Sequence, residues 1–460
     1  MPFTTDAPRV IIDDFEQQIR IKKQKGPKPS KTVIFFRNYM QLGIEQDIYE
    51  VPIDFLRYRK DNGRIASDVI SYERVNTVSL DESSQKTQTI LHKFLLDKDQ
   101  ENTEILKKTL EKDGQTEPAI ITCDGFLING NRRKMAFMEL NKNYPGKYKN
   151  MKVVILPGKN DEGGPPTKKE IELLENRYQL QKQGKSEYTG LDKALSIRRK
   201  MECGISLEEQ IVDDPLYSGL TGKPLEKTKN DFEKKYLNPL QCVDNYLEML
   251  HRQGLYTLIT SGPSDTEGKW QAFVDYSNFY FGKLQNEKWR ISAQISEEDI
   301  GDLQEIAFKI IRKQRIDGLQ GKKLHAIIRD LGKMLCHGSS KKHLYKLIDI
   351  SNDIDEDYPV QKINQNVEYS FRDIDKKWSA KNAKIFASVV NSAYSHKEIR
   401  DEEESPFNLL SEAYKKITSK NMVIEKMSES DQVKFCTLAG KAIDIIQELK
   451  QKAWERHKNH

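Results

Sequence analysis

Residues 113–139 read DGQTEPAIITCDGFLINGNRRKMAFME, and this stretch decides how the rest of the chain is read. Asp113-Gly114 ends a helical run, and Pro118 stops its continuation. Ala119 to Cys123 is apolar and β-branched, which predicts a strand. Asp124-Gly125 is a favoured pair for a two-residue hairpin turn, and Phe126-Leu127-Ile128 is the expected return strand. Gly130-Asn131-Arg132-Arg133 follows, and Lys134 to Leu140 reads as helix. The first backbone N–H groups of a helix have no partner within it and attract anions. Gly130 has no Cβ, so a phosphate can come close to the backbone there. Arg132 and Arg133 add permanent charge and forked donors for phosphate oxygens. The local reading is a phosphate cradle on a strand–turn–helix junction; the bland alternative is a solvated basic helix start.

Working outward, residues 46–180 have mixed α/β character. Glu50 to Asp54 opens with a strand-like run, and Asn102 caps the helix that ends at Asp113-Gly114. Val153 to Leu156 is a further strand, and 157–166 is a polar loop rich in glycine and proline. Thr167 and Glu170 then form a capping-box pattern that starts a helix through Leu173, Leu174 and Glu175.

Upstream, residues 1–45 read as a basic arm. Arg20, Lys22, Lys23, Lys25, Lys28 and Lys31, broken by Pro27 and Pro29, are expected to form no packed element. The arm is either a phosphate-binding tail or a solvated linker. Downstream, strand signals fade after about residue 185. Ser206 and Glu209 make a second capping box, residues 231–252 are helical, and 259–268 is a loop or linker. Ile300, Leu303, Ile306, Ala307, Ile310 and Ile311 mark one face of a helix, as do Leu324, Ile327, Ile328, Leu331 and Leu335. A charged break at 351–380 precedes two or three last helices.

Composition narrows the class. The 460 residues carry 75 Lys+Arg against 70 Asp+Glu, so the net charge is only +5, which argues against wholesale coating of nucleic acid. No run of about 20 apolar residues is present to span a membrane, and the N-terminus lacks the apolar core of a signal peptide. Cys123, Cys203, Cys242, Cys336 and Cys436 are scattered, which excludes a disulfide framework or zinc knuckle and fits a cytoplasmic protein.

The order of elements resembles the N-terminal domain of the ParB proteins, a nucleotide-binding fold shared with sulfiredoxin. Gly114-Gln-Thr-Glu-Pro118 is similar to the family's Gly-x-x-Gln-Pro turn. Gly130-Asn131-Arg132-Arg133 stands where the family has Gly-Glu-Arg-Arg. Glu175-Asn176-Arg177 is similar to its Glu-Asn-x-x-Arg box, and Asn62-Gly63-Arg64 to its Asn-Pro-Arg box. The resemblance covers residues 46–180, under a third of the chain.

It implies an α+β fold, a ParB/sulfiredoxin-like domain followed by mostly α-helical middle and C-terminal regions. It implies a nucleoside triphosphate, CTP or ATP, bound with Mg²⁺. Gly130, Asn131, Arg132 and Arg133 would hold the phosphates, Gly114 and Gln115 would line the pocket, and Asn62 and Arg64 would close it from the other side. Glu175 and Asn176 would hold the metal. Asn131 replaces the family glutamate, and an amide is no general base, so the expected turnover is slow, absent, or supported by another residue such as Glu117. Glu175 and Glu117 are the catalytic candidates. No cysteine occupies the sulfiredoxin position, so sulfinic acid reduction is not expected.

In the ParB proteins a helix-turn-helix follows. Leu191–Met201, Gly204 and Ser206–Val212 give a plausible start to one, and a degenerate motif is expected within 181–260. Arg198, Arg199 and Lys200 are the candidate DNA contacts, with a solvated helix face as the alternative. Residues 269–460 form the expected helical C-terminal domain, able to dimerise or bind a protein partner. The resulting expectation is a bacterial, cytoplasmic nucleotide-binding protein whose nucleotide state controls association with DNA or a protein. The alternative is a metal-dependent nuclease or NTPase on the same fold, serving a mobile element or phage defence.

Overall fold

The computed structural model describes residues 8–25, 30–37, 43–98, 100–180, 189–214, 216–259, 269–319, 322–352, 367–419, 422, 424 and 427–458. It separates into two units, Met1–Tyr394 and Ser395–His460.

The architecture is α+β with one small mixed sheet. Its strands are β1 (Ser30–Ile34), β2 (Ile44–Pro52), β3 (Ala119–Ile121) and β4 (Asn150–Ile155), in the order β1-β2-β4-β3. β1–β2 and β2–β4 are antiparallel, and β4–β3 is parallel, with Val153 opposite both Tyr49 and Ala119. The helices before the middle of the chain are α1 (Asp13–Lys25), α2 (Ala66–Asn76), α3 (Gln85–Lys98), α4 (Gln100–Asp113), α5 (Asn131–Asn143), α6 (Lys168–Leu180), α7 (Gly190–Glu202), α8 (Leu207–Val212) and α9 (Gly222–Phe232). After them come α10 (Asn238–Met249), α11 (Trp270–Phe279), α12 (Glu287–Ser292), α13 (Asp299–Lys313), α14 (Leu324–Leu335), α15 (Gly338–Tyr345), α16 (Val367–Lys381), α17 (Ala383–Ile417) and α18 (Glu429–Lys458).

Strand alternation sorts the sheet's side chains onto two faces. Ala119, Ile121, Met151 and Val153 pack with Leu127, Met135, Ala136 and Leu140, so α5 covers one face. Ile120 and Val154 pack with Ile128, Leu156, Ile171 and Leu174, so α6 covers the other. The expected hairpin is present: Ile128 N–H donates to the Ile120 carbonyl at 2.9 Å and Thr122 N–H to the Phe126 carbonyl at 2.9 Å. Gly125 has φ +86°, and a Cβ there would collide with the Phe55 carbonyl, so both the turn and the close approach need glycine. Asp124 is fully buried and takes both oxygens' worth of Arg9 (2.7 and 2.8 Å), together with the Ile12 N–H and the Thr122 hydroxyl.

That grip on Arg9 belongs to the segment expected to be an unpacked arm, and the expectation is corrected. Residues 13–25 form α1 and residues 30–34 form β1, while Lys28 and its flanking prolines lie outside the described residues. The basic run masks an amphipathic helix. Asp13, Asp14 and Glu16 fill its first turn, where acidic groups suit the helix dipole, and Ile19 is buried. The helix expected to begin at Asn102 begins at Gln100.

The helical middle and C-terminal regions were expected to divide between residues 260 and 269. Instead Leu191, Tyr246, Phe273, Ile306, Leu331, Trp378 and Tyr394 share one core. The expected faces of α13 and α14 lie within it, with Leu303, Ile310, Ile328 and Leu331 fully buried. The break expected over 351–380 gives way to α16 from Val367. A buried clamp holds α16: the Asp375 carboxylate takes Arg252 at 3.0 Å and Arg312 at 2.8 Å. Lys98 joins the sheet region to this core by pairing with Asp68 at 2.7 Å and with Asp192 of α7 at 2.8 Å. Among the described residues no helix is long and apolar enough to cross a membrane.

Candidate functional site

The start of α5 is built by the hairpin that delivers it. Gly130 has φ +84°, and no side chain caps the helix behind it. A Cβ on Gly130 would lie 2.6 Å from the Ala119 Cβ, so packing of α5 against β3 also demands glycine. Asn131 is 8% exposed, and its buried side-chain oxygen accepts no hydrogen bond among the described residues. Arg133 Nη1 donates to the Glu117 carbonyl. Burial lowers the Arg133 pKa, and Glu117 opposes that shift. Glu117 itself is exposed. With Arg177 it acts on the Tyr178 phenol, so the end of α6 lies within electrostatic range of the α4–β3 turn.

Gln115 has a different task from the one the resemblance implies. Its amide nitrogen donates to the Lys152 carbonyl at 2.7 Å, and its amide oxygen accepts from the Lys152 N–H at 2.7 Å. The side chain thus continues the β4 ladder where β3 has not yet begun. Gly114, with φ +69°, closes α4 and has open space where a Cβ would stand.

The upstream and downstream boxes meet in a buried ion network. Asn62 caps a short 3₁₀ turn (Gly63–Ile65), its oxygen accepting from the Arg64 N–H at 3.1 Å. The next N–H, of Gly63, donates to Glu175 Oε1 at 3.2 Å. Arg59 donates to Glu175 Oε2 at 3.2 Å and to Glu172 Oε1 at 2.8 Å. Arg199 takes the other Glu172 oxygen at 2.5 Å and Asp61 at 3.4 Å. Burial works against the Arg59 and Arg199 charges, but Glu172, Glu175 and Asp61 hold both pKa values above the ordinary guanidinium range. Burial raises the Glu172 pKa despite the neighbouring Arg199.

These contacts test the magnesium expectation at Glu175 and Asn176, and the residues do not fit it. Both Glu175 oxygens already accept hydrogen bonds, and Arg199 stands 3.8 Å away. Asn176 Oδ1 accepts from Lys200 Nζ at 2.8 Å, and Asn176 Nδ2 donates to Asp213 at 3.1 Å. A divalent cation placed there would face Arg59, Arg199 and Lys200. Among the described residues no group of three or more His, Cys, Asp or Glu is placed to hold a metal ion. Glu175 as a catalytic carboxylate meets the same objection, since it is 1% exposed and paired.

The Arg198-Arg199-Lys200 cluster likewise turns inward. Arg198 pairs with Asp244 at 2.5 Å and donates to the Tyr256 hydroxyl at 2.6 Å. Arg199 serves the ion network, and Lys200 is buried, its pKa lowered to about 8 by desolvation against the pull of Glu175 and Glu172. The three do not form a solvated phosphate-binding face. The helix pair α7 and α8 is present, joined at Gly204 and the Ser206–Glu209 capping box.

Sequence reasoning missed Arg59 and Glu172, which organise the network. Their signal was Glu172 and Glu175 at i,i+3 beside Ile171 and Leu174. Carboxylates on an apolar helix face need buried cations. It also passed over Lys134, whose Nζ donates to the Leu56 carbonyl at 2.6 Å and lies 3.9 Å from the Tyr58 ring centroid. Burial and the nearby Arg57 bring its pKa down to about 7.

Comparison with known proteins returned no matching family model, no matching curated protein and no matching solved structure.

Proposed function

We propose that residues 46–180 form a ParB-like domain that binds a nucleoside triphosphate, CTP or ATP, with Mg²⁺, and that nucleotide state controls association with DNA or a protein partner. The start of α5 carries this reading. There an uncapped helix N-terminus, the left-handed Gly130, an unsatisfied Asn131 oxygen and the Arg132-Arg133 pair come together. Fixed amide dipoles and guanidinium groups at one helix end suit a polyphosphate. In this reading the metal is carried mainly on the phosphate oxygens, as Mg²⁺ often is. Glu175 and Asn176 are assigned to positioning: they tie α6 to the Asn62 turn and to α7. That tie gives the coupling a route, because α7 belongs to the helical core. Asn131 cannot act as a base, so Glu117, exposed beside Arg133, is the carboxylate left for any hydrolysis.

The experiment is a filter-binding screen of the full chain with CTP, ATP and GTP, with and without Mg²⁺. Retention of one nucleotide, lost on Arg132→Ala, supports the proposal. Retention of none at millimolar concentration ends it. Phosphate release abolished by Glu117→Gln, with binding kept, favours turnover.

A further inference from the structure

The second unit presents an apolar helix surface to solvent. Along α18, Leu438 is 68% exposed, Ile445 57% and Leu449 52%. Contiguous exposed apolar surface on this scale marks an interaction site or an aggregation hazard. The spacing says which. Phe435, Ala442 and Leu449 fall at one heptad position (a), and Leu438 and Ile445, followed by Lys452 at the end of the seam, fall at the other (d). Ala439, Ile446 and Ala453 line one flank (e), which is apolar and uncharged. The other flank (g) reads Lys434, Lys441, Glu448, Glu455, all of them exposed.

That order of charge selects a partner and a direction. In a parallel pair the charged flank of one helix meets the uncharged apolar flank of the other, so Lys441 would face Ile446 and no ion pair forms. In an antiparallel pair the charged flanks face each other. About a two-fold axis between Ile443 and Asp444, Lys434 and Lys441 stand two residues out of register with Glu455 and Glu448 of the second copy. Side chains that lean toward their own helix N-termini close that offset, so Lys434 meets Glu455 and Lys441 meets Glu448. Each pair occurs twice by symmetry. The same axis sets Leu438 against Leu449 and Ala442 against Ile445 in the seam. Two basic positions followed by two acidic ones is self-complementary only when the helix is reversed on itself. An isologous contact of this kind closes after two copies. Among the described residues, Lys434 and Glu448 pair with exposed neighbours on the same helix, Asp431 and Lys452, which are weak competitors. Val433, Ile443 and Trp454 lie off the seam and take no part.

We propose that α18 is a self-association helix that pairs antiparallel with α18 of a second copy of this chain. This inference does not depend on nucleotide binding.

Sedimentation velocity on the full chain tests it, with far-UV circular dichroism as the folding control. The wild type is expected to sediment as a dimer at micromolar concentration. Leu438→Asp with Ile445→Asp should give a monomer. Lys434→Glu with Lys441→Glu makes the flank wholly acidic and should raise the dissociation constant at least tenfold. Adding Glu448→Lys and Glu455→Lys reverses the whole pattern and should restore the dimer. A wild-type monomer at tens of micromolar would overturn the proposal. So would a dimer indifferent to the acidic flank, or a full reversal that stays monomeric.

Discussion

Arg59 and Glu172 form a buried ion pair, with Nη2 2.8 Å from Oε1 and both side chains almost wholly removed from water. The same guanidinium reaches Glu175, so one arginine joins two carboxylates of α6 to the loop before the Asn62 turn. A buried pair adds modest net stability, but removing one partner strands the other charge. Arg59→Ala should therefore lower the unfolding free energy by about 3–5 kcal/mol in chemical denaturation. Arg59→Lys should recover only part of it, because an ammonium lacks the fork that meets both carboxylates. A loss under about 1 kcal/mol would place the pair among the inert ones.

Gln115 separates a structural role from a binding role. Its amide supplies both a donor and an acceptor to Lys152 of β4. Gln115→Leu should cost about 1–2 kcal/mol, the net worth of two partly exposed hydrogen bonds. Nucleotide affinity should stay within about threefold of wild type, a difference below 1 kcal/mol. Loss of affinity with unchanged stability would return Gln115 to the pocket.

Gly130 is required twice, by φ +84° and by the 2.6 Å approach to Ala119. Gly130→Ala should cost roughly 1–3 kcal/mol from backbone strain alone, with the collision added to it. Pairing it with Ala119→Gly should return the collision part and leave the strain. Equal stability of the single and double variants would show that packing against β3 is not the constraint.

Lys134 carries a pH signature. Its folded pKa of about 7 lies below the ordinary lysine value of 10.5, chiefly through burial. Below pH 7 both folded and unfolded chains hold the proton, and burial of the charge opposes folding in full. Between the two values the unfolded chain binds the proton and the folded chain does not, so stability rises with pH. The melting temperature of the wild type relative to Lys134→Met should climb from pH 6 to pH 9. A difference that stays flat across that range would mean Lys134 titrates as an ordinary surface lysine.

Much of the scaffold was legible because local chemistry dictated it. Asp124-Gly125 gave the hairpin, Thr167/Glu170 and Ser206/Glu209 gave capping boxes, and the apolar faces of α13 and α14 gave core helices. β1 and the first part of β2 were hidden because residues 30–34 and 44–49 mix polar and charged residues into their alternation, and only the end of β2 at residues 50–52 read as a strand. α1 was hidden because its lysines and the prolines beyond its C-terminal end mask an amphipathic helix that buries Ile19. The Arg198–Lys200 run looked like a solvated face because its partners Glu172, Asn176 and Asp244 lie 24 to 46 residues away. Nothing in the residues around Arg198–Lys200 names those distant partners. The candidate site divides the same way. The Gly130–Arg133 helix start follows from adjacent residues, whereas the engagement of Glu175 with Arg59 and Arg199 needed the fold.

Isothermal titration of the full chain with CTP, ATP and GTP in the presence of Mg²⁺ shows whether the start of α5 captures a polyphosphate. Saturable binding of at least one of them in the micromolar range is expected, weakened at least tenfold by Arg132→Ala together with Arg133→Ala. Failure of all three to bind more tightly than millimolar, or equal affinity in the double variant, would contradict that capture.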